Sequence, residues 1–292
     1  MLNDVPLSFP INQATLPQLA RREDDAHKGN FGLALIIGGS RGMSGAVALA
    51  GMAALRGGSG LVRLAVPETC LDVVAAYEPS YMTIALPATD QGQIAENART
   101  VLDQWVGAAT CVAMGPGLGR GEQIDSFVGR LYQEIAQPMV VDADALNALA
   151  TQTEILSHHA GPRILTPHPG EFARLVGQSR VDAADRPRMA VELAEQIGAV
   201  MVLKGHQTCI TDGQRTYLNT TGNPGMATGG SGDVLTGLIT ALVCQGLAPM
   251  DAARLGVHLH GLAGDLAADA LGQPSMIASD LIRFLPEAIK TL

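Results

Sequence analysis

The sequence predicts an α/β fold, in which a mostly parallel central sheet carries helices on both faces. Two observations support this prediction. Short apolar runs recur along the chain without polar alternation, and helical patterns lie between most of them. Unbroken apolar runs are typical of parallel strands that are buried on both sides. The chain shows no linker, repeat or low-complexity tract, so we expect residues 1–292 to form a single domain.

The predicted strands and helices alternate along most of the chain. After a polar leader that ends at residue 28, strands are predicted over residues 33–37, 61–66, 81–86, 110–114, 139–142, 163–166 and 200–204. Helical patterns between them include residues 45–55, 95–105 and 187–197. Two short β-rich pieces, residues 208–211 and 216–218, are joined by the hairpin-type turn Asp212-Gly213. The last predicted helices cover residues 231–243, 250–270 and 279–290.

Composition restricts the class of partner and the compartment. The net charge is −9, with no basic run, which argues against nucleic acid or an anionic membrane as the main partner. No window reaches the roughly 18–20 apolar residues of a membrane span, and the N-terminus lacks a signal-peptide pattern. The four cysteines are scattered without metal-ligand spacing and are expected to be small buried hydrophobes. We therefore expect a soluble cytoplasmic protein.

The most informative segment is NTTGNPGMATGGSGDVL, residues 219–235, in which glycines run into one acid and then a helical pattern. Ser231 is predicted to cap that helix, and the N–H groups of Gly230, Ser231 and Gly232 would then be unpaired donors. Such a terminus favours phosphate. A carboxylate is a poor phosphate ligand, so Asp233 is predicted to be a base or an orienting group for a phosphate acceptor. The alternative is a flexible loop before an ordinary helix.

Several other loops follow predicted strands and should gather at one edge of the sheet. The glycine-rich segments 38–46 and 115–119 fit neither a P-loop nor GxGxxG, and allow either close approach to a ligand or tight turns. In DADALN, residues 142–147, two carboxylates and an amide could hold magnesium through water, but we favour Asp144 as a helix cap. The role of Asp142 stays open, and no residue is assigned as a metal ligand.

Two further segments carry candidate binding residues. Prolines flank His168 and restrict where its ring points, so it is either a structural residue or a substrate contact. The segment Lys204, Gly205, His206, Gln207 and Thr208 ends the last long strand. Its lysine can meet phosphate, while its backbone and threonine hydroxyl can meet a nucleotide. The alternative for this segment is a solvated surface turn.

Seven motifs occur along the chain in this order: HKGNFG at residues 27–32, GGSRGMSGA at 38–46, GPGLG at 115–119, DADALN at 142–147, TPHPGE at 166–171, LKGHQT at 203–208 and NPGMATGGSGD at 223–233. Together they resemble the ADP-dependent NAD(P)H-hydrate dehydratases of the ribokinase-like superfamily. The resemblance extends from about residue 15 to residue 285. The epimerase domain that is often fused to the N-terminus of this family has no counterpart in the sequence, which implies a stand-alone dehydratase and a separate NAD(P)H-hydrate epimerase.

The resemblance implies a reaction and a role for each motif. The family transfers the terminal phosphoryl group of ADP to the C6 hydroxyl of hydrated NADH or NADPH (S epimer). Phosphate is then eliminated, which gives NAD(P)H, AMP and phosphate. ADP, with Mg²⁺, is implied to lie against Lys204, Gly205, His206, Gln207 and Thr208, with Gly232 at its phosphate end. The hydrated dinucleotide is implied to contact Ala46, Gly117, His168 and Asp233.

The resemblance also implies catalytic roles and an assembly. Asp233 would orient or deprotonate the hydroxyl, and the N–H groups of Gly230, Ser231 and Gly232 would stabilise the transferring group. The family commonly forms homotetramers. Two other functions remain open from the sequence: a ribokinase-like kinase for a thiazole or pyridoxine type of alcohol, and a nucleotide-binding protein without catalysis. The choice of ADP over ATP is implied by the resemblance alone.

Overall fold

The computed structural model describes residues 11–12 and 15–292, which contain one nine-stranded sheet. The strands are β1 Leu33–Ile37, β2 Leu61–Pro67, β3 Met82–Leu86, β4 Cys111–Met114, β5 Met139–Val141, β6 Arg163–Leu165, β7 Val200–Leu203, β8 Cys209–Thr211 and β9 Thr216–Leu218. Their order is β3-β2-β1-β4-β5-β6-β7-β8-β9. Strands β1 to β7 pair in parallel, whereas β8 and β9 are antiparallel additions at one edge. The predicted mostly parallel sheet is confirmed.

Helices cover both faces of this sheet. They are α1 Ser44–Arg56, α2 Leu71–Ala75, α3 Arg99–Val106, α4 Glu122–Glu134, α5 Ala143–Leu149, α6 Pro169–Leu175, α7 Arg186–Ile197, α8 Ser231–Cys244, α9 Pro249–Leu271 and α10 Ala278–Ile289. The helix predicted from residue 95 begins instead as a 3-10 turn, Glu96–Ala98, which passes into α3.

Two hydrophobic cores explain why the strands are apolar without alternation. In β1, Ala34 and Ile36 point into a core formed with α1, α8, α9 and α10, while Leu35 and Ile37 point into a core formed with α3 to α7. Every β1 side chain is therefore buried, whichever face it points to. All four cysteines are buried free thiols, as expected. In the residues that the structure describes, no helix is both long and apolar enough to cross a membrane.

Arg163 is a buried charge that holds the end of α4. Its side chain is only 1% exposed, and its guanidinium donates to the backbone carbonyls of Tyr132, Ile135, Gln137 and Pro162. The last carbonyls of a helix have no partner within the helix, so this guanidinium supplies the missing donors. Burial lowers the pKa of Arg163 to about 10, so the side chain remains a cation at neutral pH.

We expect Arg163→Met to lower the free energy of unfolding by about 3 kcal/mol, because several buried carbonyls lose their donors together. Arg188→Met is the matched control, since the Arg188 side chain is 45% exposed and pairs with Asp185 and Glu192 on the surface. We expect the control to leave stability nearly unchanged, because exposed ion pairs contribute little. Urea unfolding of the three proteins measures both effects. Equal losses in the two variants would contradict this account of Arg163.

Candidate active site

Loops after β5, β6 and β7 meet the start of α8 around a cavity of about 890 Å³. Because these three strands are parallel neighbours, their carboxyl ends lie side by side. The cavity is lined by most of the sequence-predicted site residues: His168, Lys204, Gly205, His206, Gln207, Thr208, Gly230, Ser231, Gly232 and Asp233. Asp142 and Glu171 line it as well. The structure thus brings together segments that are far apart in the sequence.

Asp142 is the buried centre of the network beneath this cavity. It is 1% exposed, and its Oδ1 accepts from Lys204 Nζ at 2.6 Å and from Thr166 Oγ1 at 2.8 Å. Its Oδ2 accepts from Thr236 Oγ1 of α8 at 2.8 Å. Asp142, Thr166 and Lys204 each directly follow one of three adjacent strands. The Asp142 carboxylate therefore anchors Lys204 beneath the cavity.

Lys204 remains a cation in this setting. Burial alone would lower its pKa, but the charges of Asp142 and Glu171 and the hydrogen bond to Asp142 outweigh burial and raise it. A Cβ on Gly232 would lie 3.1 Å from Lys204 Nζ, so the ammonium group lies against the first turn of α8. A fixed positive charge and a helix N-terminus therefore face the same point of the cavity.

The start of α8 differs in detail from the prediction. Gly230, at φ 90°, takes the N-cap position, and Ser231 is the first helical residue, so the predicted Ser231 cap is wrong. The left-handed backbone favours glycine, and a Cβ on Gly230 would lie 2.6 Å from Leu49 Cδ1. The Ser231 N–H makes a long 3.4 Å bond to Thr228 O. Within the described part of the chain, the N–H groups of Gly230 and Gly232 have no acceptor.

Behind this turn, a buried histidine fixes the Ser231 carbonyl. His260 is 8% exposed, and its Nε2 lies 2.9 Å from Ser231 O. Burial lowers the pKa of His260 to about 4, so the ring is neutral and donates Nε2–H to that carbonyl. Sequence reasoning missed this contact, because His260 lies on a different helix, α9.

Asp233 and Glu171 are two acids with raised pKa values on different walls of the cavity. Burial, reinforced by the charge of Asp142 and opposed by that of Lys204, raises the pKa of Asp233 to about 7. Burial is also the main reason why the pKa of Glu171 rises to about 7. Carboxyl groups that titrate near neutral pH are suited to accept and release protons. Glu171 belongs to the TPHPGE motif, but sequence reasoning gave it no role.

His168 is both a helix cap and a wall of the cavity. Its Nδ1 accepts the N–H groups of Gly170 at 2.9 Å and Glu171 at 3.3 Å, while Glu171 Oε2 accepts the His168 N–H at 2.8 Å. The ring is about half exposed, with Nε2 3.3 Å from Glu171 Oε1. Burial, followed by the charges of Lys204 and Arg174, lowers the pKa of His168. The neutral ring therefore carries its proton on Nε2.

The predicted cap at Asp144 is wrong. Asp142 occupies the N-cap position of α5, and its side chain makes no capping bond. Asp144 lies inside the helix, where its Oδ2 accepts the Gly119 N–H at 3.0 Å. The helix starts two residues earlier than expected, and its first residue, Ala143, has a positive φ of 51°. The Asp144 carboxylate therefore bonds both to the Gly115–Gly119 loop and, through Oδ1, to Asn147 of its own helix at 3.4 Å.

Ala46 and Gly117 contact each other but do not line the cavity. A Cβ on Gly117 would lie 2.5 Å from Met43 O and 3.2 Å from the Cβ of Ala46, so this glycine allows the two loops to pack. The Gly117 carbonyl accepts from Ser40 Oγ at 2.8 Å. These loops follow β1 and β4, and β4 adjoins β5 at the cavity. The structure places the two predicted contacts beside the site, at the same edge of the sheet.

The loop from Lys204 to Thr208 has a fixed shape. Gly205 has a φ of 148° and Gln207 a φ of 55°, and the Thr208 hydroxyl donates to Gly205 O at 3.0 Å. The segment turns back on itself through this bond and lines the cavity next to Lys204. A non-glycine residue in the left-handed region is uncommon and is found often at functional sites.

Comparison with known proteins identifies the family. The chain matches the family profile described as NAD(P)H-hydrate dehydratase over residues 34–287. A bifunctional NAD(P)H-hydrate repair enzyme of Moorella thermoacetica is 48% identical over 278 residues, which cover 94% of this chain and 52% of that protein. The corresponding enzyme of Thermofilum pendens is 41% identical and is covered to 56%. The chain thus spans about half the length of these curated relatives.

Solved structures agree with this assignment. A ribokinase-like superfamily protein of Enterococcus faecalis has a TM-score of 0.79 and 27% identity, over 94% of this chain and 92% of that one. An ADP/ATP-dependent NAD(P)H-hydrate dehydratase of Bacillus subtilis, co-crystallised with ATP and Mg²⁺, has a TM-score of 0.78 and 31% identity, over 94% of both chains. The fold is ribokinase-like, and the chain belongs to the NAD(P)H-hydrate dehydratase family.

Proposed function

We propose that this chain catalyses the ADP-dependent dehydration of hydrated NADH and NADPH, which gives NAD(P)H, AMP and phosphate. One observation carries the proposal: Lys204, held by Asp142, lies beside the N-terminus of α8, and Asp233 lies in the first turn of that helix. An anion site and an acid that can accept a proton thus share one cavity. Family membership supports this particular chemistry over other phosphoryl transfers.

The nucleotide is proposed to lie along Lys204, Gly205, His206, Gln207 and Thr208, with its terminal phosphate at Gly232. Lys204 supplies a positive charge for the phosphate oxygens. The N–H groups of Gly230 and Gly232, which have no acceptor among the described residues, supply hydrogen-bond donors. Among the described residues, no three His, Cys, Asp or Glu side chains form a metal site. Mg²⁺ is therefore proposed to enter with ADP, bound by the phosphates and water, and to neutralise their charge.

Phosphoryl transfer overcomes the central difficulty of the reaction, which is that hydroxide is a poor leaving group near neutral pH. Asp233 is proposed to take the proton of the C6 hydroxyl as its oxygen attacks the terminal phosphorus of ADP. Lys204 and the N–H groups at the start of α8 stabilise the charge on the transferring group. The resulting phosphate ester leaves as phosphate when the ring nitrogen donates its electron pair, and AMP is the other product.

The remaining features of the proposal concern the dinucleotide and the assembly. The hydrated ring is proposed to enter between His168 and Asp233, with Ala46 and Gly117 contacting more distant parts of the dinucleotide. C6 of the hydrate is a stereocentre, and we propose that a separate epimerase supplies the S epimer.

We further propose that residues 1–292 work as one domain and assemble into a cytoplasmic homotetramer. Exposed apolar side chains at Val73, Tyr77 and Met82 offer a surface for such contacts.

The proposal is tested by incubating the protein with hydrated NADH and Mg²⁺, together with either ADP or ATP. We expect ADP to support recovery of NADH absorbance, with one AMP and one phosphate formed for each NADH. A stable phosphorylated product would instead indicate a small-molecule kinase. Binding of ADP without turnover of the hydrate would indicate a nucleotide-binding protein without catalysis.

The pH dependence should report the state of Asp233. Its pKa is raised to about 7, and the side chain must be ionised to accept the hydroxyl proton. We therefore expect kcat/KM for the hydrate to rise with pH through about 7 and to level off above it. The charged groups that act on Asp233 are Asp142, Lys204, Asp144 and Glu171, of which only Lys204 lowers its pKa.

Asp142→Asn should move this rise in kcat/KM to lower pH, by about one pH unit. The change removes a negative charge near Asp233 and leaves the positive charge of Lys204 less compensated, so both effects lower the pKa of Asp233. Asp144→Asn is the matched comparison, and its smaller contribution to that pKa predicts a smaller shift in the same direction. If kcat/KM of Asp142→Asn rose at the same pH as that of the wild type, the assignment of this rise to Asp233 would be contradicted.

A further inference from the structure

Loss of phosphate from C6 does not by itself regenerate NADH. When the ring nitrogen expels phosphate, the C6–O bond breaks and an N1=C6 iminium forms, while C5 still carries both of its hydrogens. The C5=C6 double bond returns only when C5 loses a proton. Asp233 has by then taken the hydroxyl proton, so the reaction calls for a second proton acceptor. This reasoning rests on the proposed function.

We propose that Glu171 is the acceptor of the C5 proton. Glu171 lies in the first turn of α6, on the wall that follows β6, whereas Asp233 lies in the first turn of α8. Both acids line the same cavity. The hydrated ring, placed between them, would present its C6 hydroxyl to one acid and its C5 hydrogens to the other.

The Glu171 carboxylate is held with one oxygen available. Oε2 accepts the backbone N–H of His168 at 2.8 Å, which fixes the plane of the group. Oε1 faces His168 Nε2 at 3.3 Å, and within the described part of the chain it makes no closer polar contact. The side chain is only 6% exposed, so little water competes for this oxygen. Burial also keeps the pKa of the carboxyl near 7, where a proton can be gained and released.

The other titratable groups at this wall are poorly suited to the task. Both oxygens of Asp142 are occupied by Lys204, Thr166 and Thr236, and the residue is 1% exposed. The Nδ1 of His168 accepts two backbone N–H groups, so its lone pair is used and Nε2 carries the proton. Lys204 is a cation with no lone pair to offer. Glu171 is left as the acceptor opposite Asp233.

The step balances without any further reactant. The C5–H bond breaks, and its electron pair forms the C5=C6 bond. The electron pair of the iminium C=N bond returns to N1, and the proton moves to Glu171 Oε1. Glu171 later releases that proton to water.

Glu171→Gln separates the two halves of the reaction. We expect AMP to form at nearly the wild-type rate, because phosphoryl transfer depends on Asp233 and Lys204. NADH formation should fall about a hundredfold, since general base catalysis is lost. An iminium that cannot lose its proton adds water again, so several AMP should form for each NADH. Glutamine can still accept the His168 N–H, so the first turn of α6 is kept.

The test is a time course with excess ADP, quenched at intervals and assayed for AMP and NADH. The hydrate is prepared in normal and in deuterated water, because hydration in deuterated water places deuterium at C5. In Glu171→Gln we expect deuterium to slow NADH formation but not AMP formation. Glu171→Asp keeps a carboxylate and should restore part of the coupling. Glu192→Gln, on the exposed surface of α7, should behave as wild type.

The outcomes distinguish this proposal from the proposed function. If the wild-type protein forms no AMP from ADP and the hydrate, the proposed function is wrong, whatever Glu171 does. If Glu171→Gln forms one NADH per AMP at the wild-type rate, the departing phosphate or water takes the proton and the assignment of Glu171 is overturned. A parallel loss of AMP and NADH in a folded Glu171→Gln protein would also overturn it, because Glu171 would then act before elimination.

Discussion

Asp233→Asn should reduce NADH recovery about a thousandfold, which lies within the range for loss of a general base. The amide has nearly the same size as the carboxylate but cannot accept the C6 hydroxyl proton. ADP binding should persist, because removal of a negative charge beside the phosphate site reduces repulsion. Recovery of NADH absorbance measures the first effect, and titration calorimetry with ADP and Mg²⁺ measures the second.

Asp269→Asn is the matched control for this variant. Asp269 is exposed near the C-terminal end of α9 and does not line the cavity, so the change should leave both activity and ADP binding unchanged. Near wild-type turnover in Asp233→Asn would remove the proposed base, whereas loss of ADP binding together with activity would assign Asp233 to the nucleotide site instead.

Lys204→Met should produce the second large effect. It removes the charge beside Gly232, and loss of one such stabilising group typically costs about a hundredfold or more in turnover. We also expect weaker ADP binding, measured by the same calorimetry. The change leaves the buried carboxylate of Asp142 without its cation, so the free energy of unfolding should fall by about 3 kcal/mol.

A double variant separates these two consequences. Lys204→Met combined with Asp142→Asn lacks both members of the buried ion pair, so it should regain most of the lost stability in urea unfolding. It should not regain activity, because the positive charge at the phosphate site is still missing. If the double variant recovered activity, Lys204 would matter for folding rather than for phosphoryl transfer.

The sequence was sufficient to predict the sheet and the segments that form its functional edge. Strands buried on both faces read as unbroken apolar runs, and β1, for example, was predicted with the bounds that the structure has. Asp233 could be singled out because the glycine-rich loop, the acid and the helix are contiguous in the sequence. Local chemistry of this kind does not depend on how the strands are ordered.

The network beneath the site could not be predicted, because it depends on that order. Asp142 meets Lys204 across 62 positions and Thr236 across 94, which requires β5, β6 and β7 to be neighbours. The two mistaken caps, at Ser231 and Asp144, have a different cause. An unusual backbone conformation lies at each helix start: α8 begins one residue earlier than side-chain preferences suggest, after Gly230, and α5 begins two residues earlier, at Ala143.

The central claim is that the C6 oxygen of the hydrate is phosphorylated before it leaves. The most direct test uses hydrate whose C6 hydroxyl carries a heavy isotope of oxygen, turned over with ADP and Mg²⁺ in ordinary water. We predict that the heavy oxygen is recovered in the phosphate, as mass spectrometry of that product would show. Recovery of the heavy oxygen in water, with unlabelled phosphate, would contradict the claim.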